Sequence, residues 1–242
     1  MCVLAIAWRV DPRWRLVAAG NRDELHARPA LPLARWEDVP GLIAGGDAVG
    51  GGTWLGVQEA GRFAVVTNVR NPQGPDPAKR SRGGLVTDAL TQGMDALGAV
   101  EAYNPFNLIV VDGATAMLLS NRPEPVRHML EPGVHGLSNG LHDAPWPKTR
   151  AVERAVADWI DAGDESVEPL FAALRDERAF GASDGDALEP VNSPVFMRNA
   201  RYGTRCSTVV TVDADGNGAI TERRFDAGGE ETGETCIRFC WQ

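Results

Sequence analysis

The chain is short of several things at once, and each shortage removes a class of function. Its 242 residues hold only four cysteines, Cys2, Cys206, Cys236 and Cys240. That is too few for a disulfide scaffold, and no Cys-x-x-Cys pair is present, which excludes zinc-ribbon and thioredoxin-like chemistry. Cys236 and Cys240 read as packing residues in a reducing compartment. The four histidines, His26, His128, His135 and His142, lack the His-Glu-x-x-His spacing of a zinc peptidase, so no metal site is expected. No apolar run approaches the ~20 residues that cross a bilayer. The apolar start, Val3 to Trp8, is shorter than a signal-peptide core and has no basic segment before it. A cytoplasmic protein without stable membrane insertion is the expectation. Basic residues are in deficit as well, 24 against 33 acidic, for a formal charge of −9. That balance disfavours nucleic acid and anionic lipid as partners.

What is present is ordinary globular material: 43% apolar and 24% charged residues, enough for one domain spanning residues 1–242. Cys2 to Val10 and Trp14 to Ala19 read as a hairpin turning at Asp11-Pro12-Arg13, closed by Gly20 and followed by the polar run Asn21-Arg22-Asp23-Glu24. Residues 27–52, rich in Pro and Gly, read as loop. Thr53 to Val57 and Arg62 to Thr67 form a second hairpin, and 69–81 a polar loop. Residues 85–100 have helical spacing. Phe106 to Val111, Ala116 to Leu119 and Val134 to Leu137 read as strands. Pro147 to Ala162 and Val167 to Arg175 read as helices, 181–194 as loop, and Ser207 to Val212, Ala219 to Phe225 and Thr235 to Trp241 as closing strands. Strand pairs at both ends with helices between predict an α+β fold, a layered αββα sandwich rather than a doubly wound parallel sheet.

Cys2 is the first candidate for chemistry. If Met1 is removed, its thiol shares a residue with a free α-amine of ordinary pKa about 7.7–8.0, which can serve as the thiol's base without a histidine. The alternative is an apolar cysteine opening a strand. In the run after Gly20, Arg22 suits an anion or thiolate and Asp23 an ammonium; the alternative is a solvated turn. Thr67-Asn68, Ser138-Asn139 and Gly203-Thr204-Arg205 also sit at ends of apolar runs, where amides can build an oxyanion hole and an arginine can fix a nucleophile. Each alone also reads as a turn or cap. Asp213 to Gly218 begins like a calcium loop, but Arg224 stands where its bidentate Glu belongs. Gly50-Gly51-Gly52-Thr53 lacks the lysine of a phosphate loop. No Cys-Pro dipeptide is present, so the simplest haem-regulatory signature is missing.

In order along the chain, Met1-Cys2, Asn21-Arg22-Asp23-Glu24, Arg28-Pro29, Gly51-Gly52-Thr53-Trp54-Leu55-Gly56, Thr67-Asn68, Arg82-Gly83, Phe106-Asn107-Leu108, His135-Gly136-Leu137-Ser138-Asn139, Pro145-Trp146 and Tyr202-Gly203-Thr204-Arg205 resemble the NRDE-motif family, that of the transport-and-Golgi-organisation protein. More remotely the set is similar to cysteine N-terminal-nucleophile (Ntn) hydrolases of the penicillin V acylase and choloylglycine hydrolase type. The Asn21-Arg22 order reverses the hydrolases' usual Arg-Asn. The resemblance implies an Ntn hydrolase-like four-layer αββα sandwich with Cys2, Arg22, Asp23, Asn68, Asn139 and Arg205 around one pocket. It implies an amidohydrolase with Cys2 as nucleophile, acting on a small apolar acyl amide or thioester, with Asn68 and Asn139 at the oxyanion and no cofactor required. The alternative it implies is a carrier of haem or of a lipid or acyl-CoA ligand, with Arg22 or Arg205 as anion partner and Cys2 or His26 as haem ligand. Asn21, Glu24, His26 and Trp54 are the expected ligand-binding residues, and a homo-oligomer is compatible with either reading.

Overall fold

The computed structural model describes residues 2–180 and 190–242. The chain begins with β1 (Val3–Asp11), β2 (Trp14–Leu25), β3 (Ala30–Arg35), β4 (Leu42–Asp47), β5 (Leu55–Gln58) and β6 (Arg62–Asn68). Helix α1 (Gly83–Gln92) precedes β7 (Phe106–Asp112), β8 (Thr115–Ser120), β9 (Val126–Met129) and β10 (Gly133–Leu137). Then come α2 (Pro147–Ala162) and α3 (Glu168–Leu174), followed by β11 (Tyr202–Asp213), β12 (Asn217–Phe225) and β13 (Glu231–Cys240).

The strands form two antiparallel sheets, one in the order β10-β1-β2-β11-β12-β13 and one in the order β3-β4-β5-β6-β7-β8-β9. Period-two alternation assigns each strand's residues to two faces, and here both faces are apolar because both are covered. Leu4, Ile6, Leu16 and Ala18 join Phe63, Val65, Ile109 and Val210 in the layer between the sheets. Val3, Ala5, Ala7, Val17 and Ala19 point the other way, against Val152, Val156, Trp159 and Ile160 of α2 and Leu170 and Phe171 of α3. On the far sheet, Leu85, Val86, Ala89 and Leu90 of α1 close over Ala64, Val66, Leu108 and Val110. The result is the expected α+β sandwich in four layers, αββα.

Helix α2 spans the residues its periodicity predicts, with Pro147 in the first turn and Gly163 as a left-handed C-cap (φ 68°). Other elements differ from the expectation. Residues 27–52 contain β3 and β4. Pro32 is tolerated because β3 is an edge strand with an irregular register between Leu31 and Ala34. The helical run from residue 85 ends at Gln92, where Gly93 turns out at φ 85°. The polar edge strand β9 carries no apolar alternation and was not foreseen. Cys236 and Cys240, expected to pack, are exposed on edge strand β13. Residues 181–189 of the loop expected at 181–194 lie outside the described residues, and Pro190–Asn192 is one 3-10 turn. Among the described residues no helix is long and apolar enough to cross a membrane.

Candidate active site

Strand β2 does not stop at Gly20. It continues through Asn21-Arg22-Asp23-Glu24 to Leu25, paired with β11 throughout and with β1 as far as Asn21, so the polar run is strand and not turn. Alternation divides it. Asn21 faces the helices: its Nδ2 donates to the carbonyls of Leu174 (2.8 Å) and Val195 (3.0 Å), and its Oδ1 accepts from the Ser207 hydroxyl (2.7 Å). Asn21 thereby fastens α3 to the sheet and does not line the cavity described below. Arg22 faces that cavity. The register pairs Val3 with Asn21 and Arg22 with Cys206, which places Cys2, Arg22 and Cys206 in one row across β1, β2 and β11.

Cys2 is held from several sides. Its backbone nitrogen donates to Asn139 Oδ1 (2.9 Å), and its carbonyl accepts from the Ser138 hydroxyl (2.9 Å). Asn139 Nδ2 in turn donates to the carbonyl of Asn68 (2.7 Å). Asn107 Nδ2 donates to the Gly140 carbonyl (3.0 Å) and Asn107 Oδ1 accepts from the Ser120 hydroxyl (2.9 Å), which anchors the segment carrying Asn139 to β7. Asn139 is therefore committed to positioning the start of the chain. Asn68 lines the cavity.

Asp23 is 3% exposed. Its Oδ1 accepts from the Thr204 hydroxyl (2.7 Å), its Oδ2 lies 4.0 Å from Lys148 Nζ, and its carbonyl accepts from the Tyr202 hydroxyl (2.7 Å). Burial pushes its carboxyl above the ordinary value, against the pull of the chain's amino terminus, Lys148, Thr204 and Arg22. Lys148 is fully buried near the start of α2, and burial lowers its ammonium, with Asp23 and Cys2 acting the other way. No sequence signal picked it out, because a lysine in a first helical turn reads as solvated; its place beside Pro145-Trp146 was the available hint.

Strand β11 shifts register between Thr204 and Cys206, so Arg205 is the extra residue of a β-bulge. Its Nη1 donates to the carbonyls of Leu25 (3.0 Å), His26 (3.1 Å) and Arg28 (3.1 Å), bracing the exit of β2. His26 bonds through Nε2 to the Asn199 carbonyl (2.8 Å) and does not line the cavity. Of the two residues considered as haem ligands, only Cys2 does. Gly52, at φ 72°, explains the glycine pair before Thr53-Trp54, since a Cβ there would stand 2.4 Å from the Gly83 carbonyl. That contact seats the loop carrying Trp54 against α1.

These elements surround a cavity of about 970 Å³ lined by Cys2, Arg22, Asp23, Glu24, Trp54, Asn68, Asn139 and Arg205, with Arg82 and Cys206 beside them. In a chain of net charge −9, its lining inverts the sign. Eight basic residues (Arg22, Arg28, Arg70, Lys79, Arg80, Arg82, Arg205, Arg224) face five acidic ones (Asp23, Glu24, Asp47, Asp76, Glu222). Asp47 is held by Arg28 (2.9 Å) and Arg22 (3.5 Å), whereas Arg22 Nη1 and Arg205 Nε are buried without a hydrogen-bond partner among the described residues. Among the described residues the Arg82 side chain donates only to the Pro105 carbonyl (3.3 Å), and burial lowers its guanidinium against the pull of Cys2 and Glu24. Burial, with Glu222 and Cys2 adding to it, pushes the Cys206 thiol well up and keeps it a thiol, although Arg22 and Thr208 pull the other way. Leu25, Leu31 and Val49 leave large apolar side chains exposed on the cavity wall.

A family model described as Transport and Golgi organisation 2 matches residues 1–227. The Transport and Golgi organization protein 2 homolog of Homo sapiens is 36% identical over 92% of each chain, and the Drosophila melanogaster protein 28% identical over 89% of each. Among solved structures, a mutant conjugated bile acid hydrolase from Clostridium perfringens superposes with a TM-score of 0.57 at 10% identity, covering 98% of this chain and 92% of that one. The Caenorhabditis elegans ortholog of N-acylethanolamine-hydrolyzing acid amidase gives 0.51 at 12% identity, over 86% and 91%.

Proposed function

Because the chain belongs to the Transport and Golgi organisation 2 family and has the Ntn hydrolase sandwich, we propose that it is an Ntn-type cysteine amidohydrolase whose nucleophile is Cys2. The observation that carries this reading is the bond from the Cys2 nitrogen to Asn139, within a cavity that also presents Arg22, Asp23 and Asn68. Asn139, itself bonded to the Asn68 carbonyl, fixes the nitrogen that removal of Met1 would turn into an amine beside the thiol.

With Met1 removed, that nitrogen is an amine. It takes the Cys2 thiol proton as sulfur bonds to the substrate carbonyl carbon. The resulting oxyanion is met by the Asn68 amide. The amine then gives its proton to the leaving nitrogen and the C–N bond breaks, leaving a thioester on Cys2. Water attacks that thioester, passing a proton to the amine, and the acid departs with the thiol restored. Asp23 and Arg22 hold the amine and sulfur in register, and Asn139 orients the amine instead of sharing the oxyanion. The charge inversion of the wall and the apolar Leu25, Leu31, Val49 and Trp54 suit an acyl amide or thioester with an apolar chain and a carboxylate or phosphate group. A second reading, a carrier of haem or of a lipid or acyl-CoA ligand using the same cavity, is favoured by its volume and exposed apolar wall.

Fluorogenic N-acyl amides of graded chain length, some bearing a carboxylate, separate the two. Turnover that falls at least 10³-fold in Cys2→Ala supports the hydrolase. Stoichiometric binding without turnover, unchanged in Cys2→Ala, sinks it in favour of the carrier.

A further inference from the structure

Lysine is almost never fully buried unless paired. Lys148 is 0% exposed, yet its partnership is loose: 4.0 Å to Asp23 Oδ2, 5.8 Å to the centre of the Trp146 ring, and no hydrogen bond among the described residues. A buried ion pair is weak evidence for stability, because an apolar replacement of similar volume is often neutral or better. The location is more informative. Asp23 stands between α2, which supplies Lys148, and the cavity, which holds the start of the chain. Among the described residues, Arg22 on β2, Arg82 before α1 and Cys206 on β11 also act on Cys2 or Asp23, as does the chain's amino terminus on Asp23.

We propose that Lys148 is a positioning residue that shares the Asp23 carboxylate with the amino group of Cys2, so that this amine is held as a free base beside its own thiol. The proposal rests on the Ntn reading above. Without Lys148, Asp23 would lose the cation that approaches its Oδ2 from α2, and would favour the protonated form of the terminal amine. With Lys148 present, one carboxylate answers two cations, and the ammonium is the one that can shed its proton into the cavity.

The test compares the wild type with Lys148→Met. Intact mass first establishes whether Met1 is absent, and alkylation at Cys2 by iodoacetamide is then followed across pH by peptide mapping. The expected result is a folded variant whose Cys2 profile lies about one pH unit higher, a tenfold change in the underlying equilibrium. A purely structural lysine would leave the profile in place, and that outcome overturns the proposal. Retention of Met1 in the wild type is a different failure, since it removes the Ntn reading and the proposal with it. Should Lys148→Met not fold, Asp23→Asn is compared with Asp23→Asn/Lys148→Met. If the proposal holds, Asp23→Asn lowers the Cys2 profile and further loss of the lysine leaves it there, because no carboxylate remains to share; a profile unmoved by Asp23→Asn, or one that rises when the lysine is lost in that background, refutes it.

Discussion

Strand β2 has two halves, and they are buried by opposite means. Leu16, Val17, Ala18 and Ala19 disappear into two apolar layers, where any side chain of suitable volume serves. Asn21, Arg22 and Asp23 are buried nearly as well, but each is surrounded by polar groups: backbone carbonyls and Ser207 for Asn21, Thr204 and Lys148 for Asp23, Asp47 for Arg22. An apolar interior constrains volume, whereas a polar interior constrains atom type. The second kind is costly to assemble, and here it holds both the cavity groups Arg22 and Asp23 and the joint that Asn21 makes with α3.

Substitutions sharpen this contrast. Leu16→Ala is expected to cost the most stability, about 2–5 kcal/mol by denaturant melt, with Cys2 labelling unchanged. If labelling were lost too, the halves would not be separable. Asn21→Leu strands two carbonyls and a hydroxyl, and an expected loss of about 1–3 kcal/mol again leaves labelling intact. Arg22→Met reverses the pattern: stability within about 1 kcal/mol of wild type, with weakened capture of carboxylate-bearing probes in a binding titration. The smallest effect concerns acid. Burial pushes Asp47 up, but the amides of Gly50 and Val49 and the Arg28 guanidinium outweigh it, leaving the carboxyl below its ordinary value of 3.8. Its contribution is therefore present above that value and is lost as pH falls through the lowered folded value. Asp47→Asn should therefore lower stability slightly at neutral pH, with the difference from wild type shrinking as pH falls below the ordinary value of 3.8, so that the acid limb of the stability curve is flatter.

The same contrast explains what was legible in the sequence. Elements with one dominant period, such as α2 and the hairpin of β5 and β6, could be read because local pattern and tertiary burial agree. Strands β3 and β4 could not, since Pro29, Pro32 and the glycines from Gly45 onward are turn chemistry, although Pro32 sits on an edge strand and Gly45 and Gly46 stand near the end of the interior strand β4. The extension of β2 through Asn21 to Leu25 was hidden for a related reason: buried polar residues look solvated until their partners, 150 or more positions away, are placed. Of the residues picked out as a site, Cys2, Arg22, Asp23, Glu24, Trp54, Asn68, Asn139 and Arg205 line one cavity, while Asn21 and His26 turn away from it. Arg82 and Lys148 gain their meaning only from the fold, through proximity to Cys2 and Asp23.

The most direct test is to incubate the protein with an N-acyl amide, quench in acid and sequence the first peptide by mass spectrometry. The account predicts a peptide that begins at Cys2 and carries one acyl group on its sulfur. A peptide still bearing Met1, or acyl transfer to another cysteine while residue 2 stays bare, would contradict it.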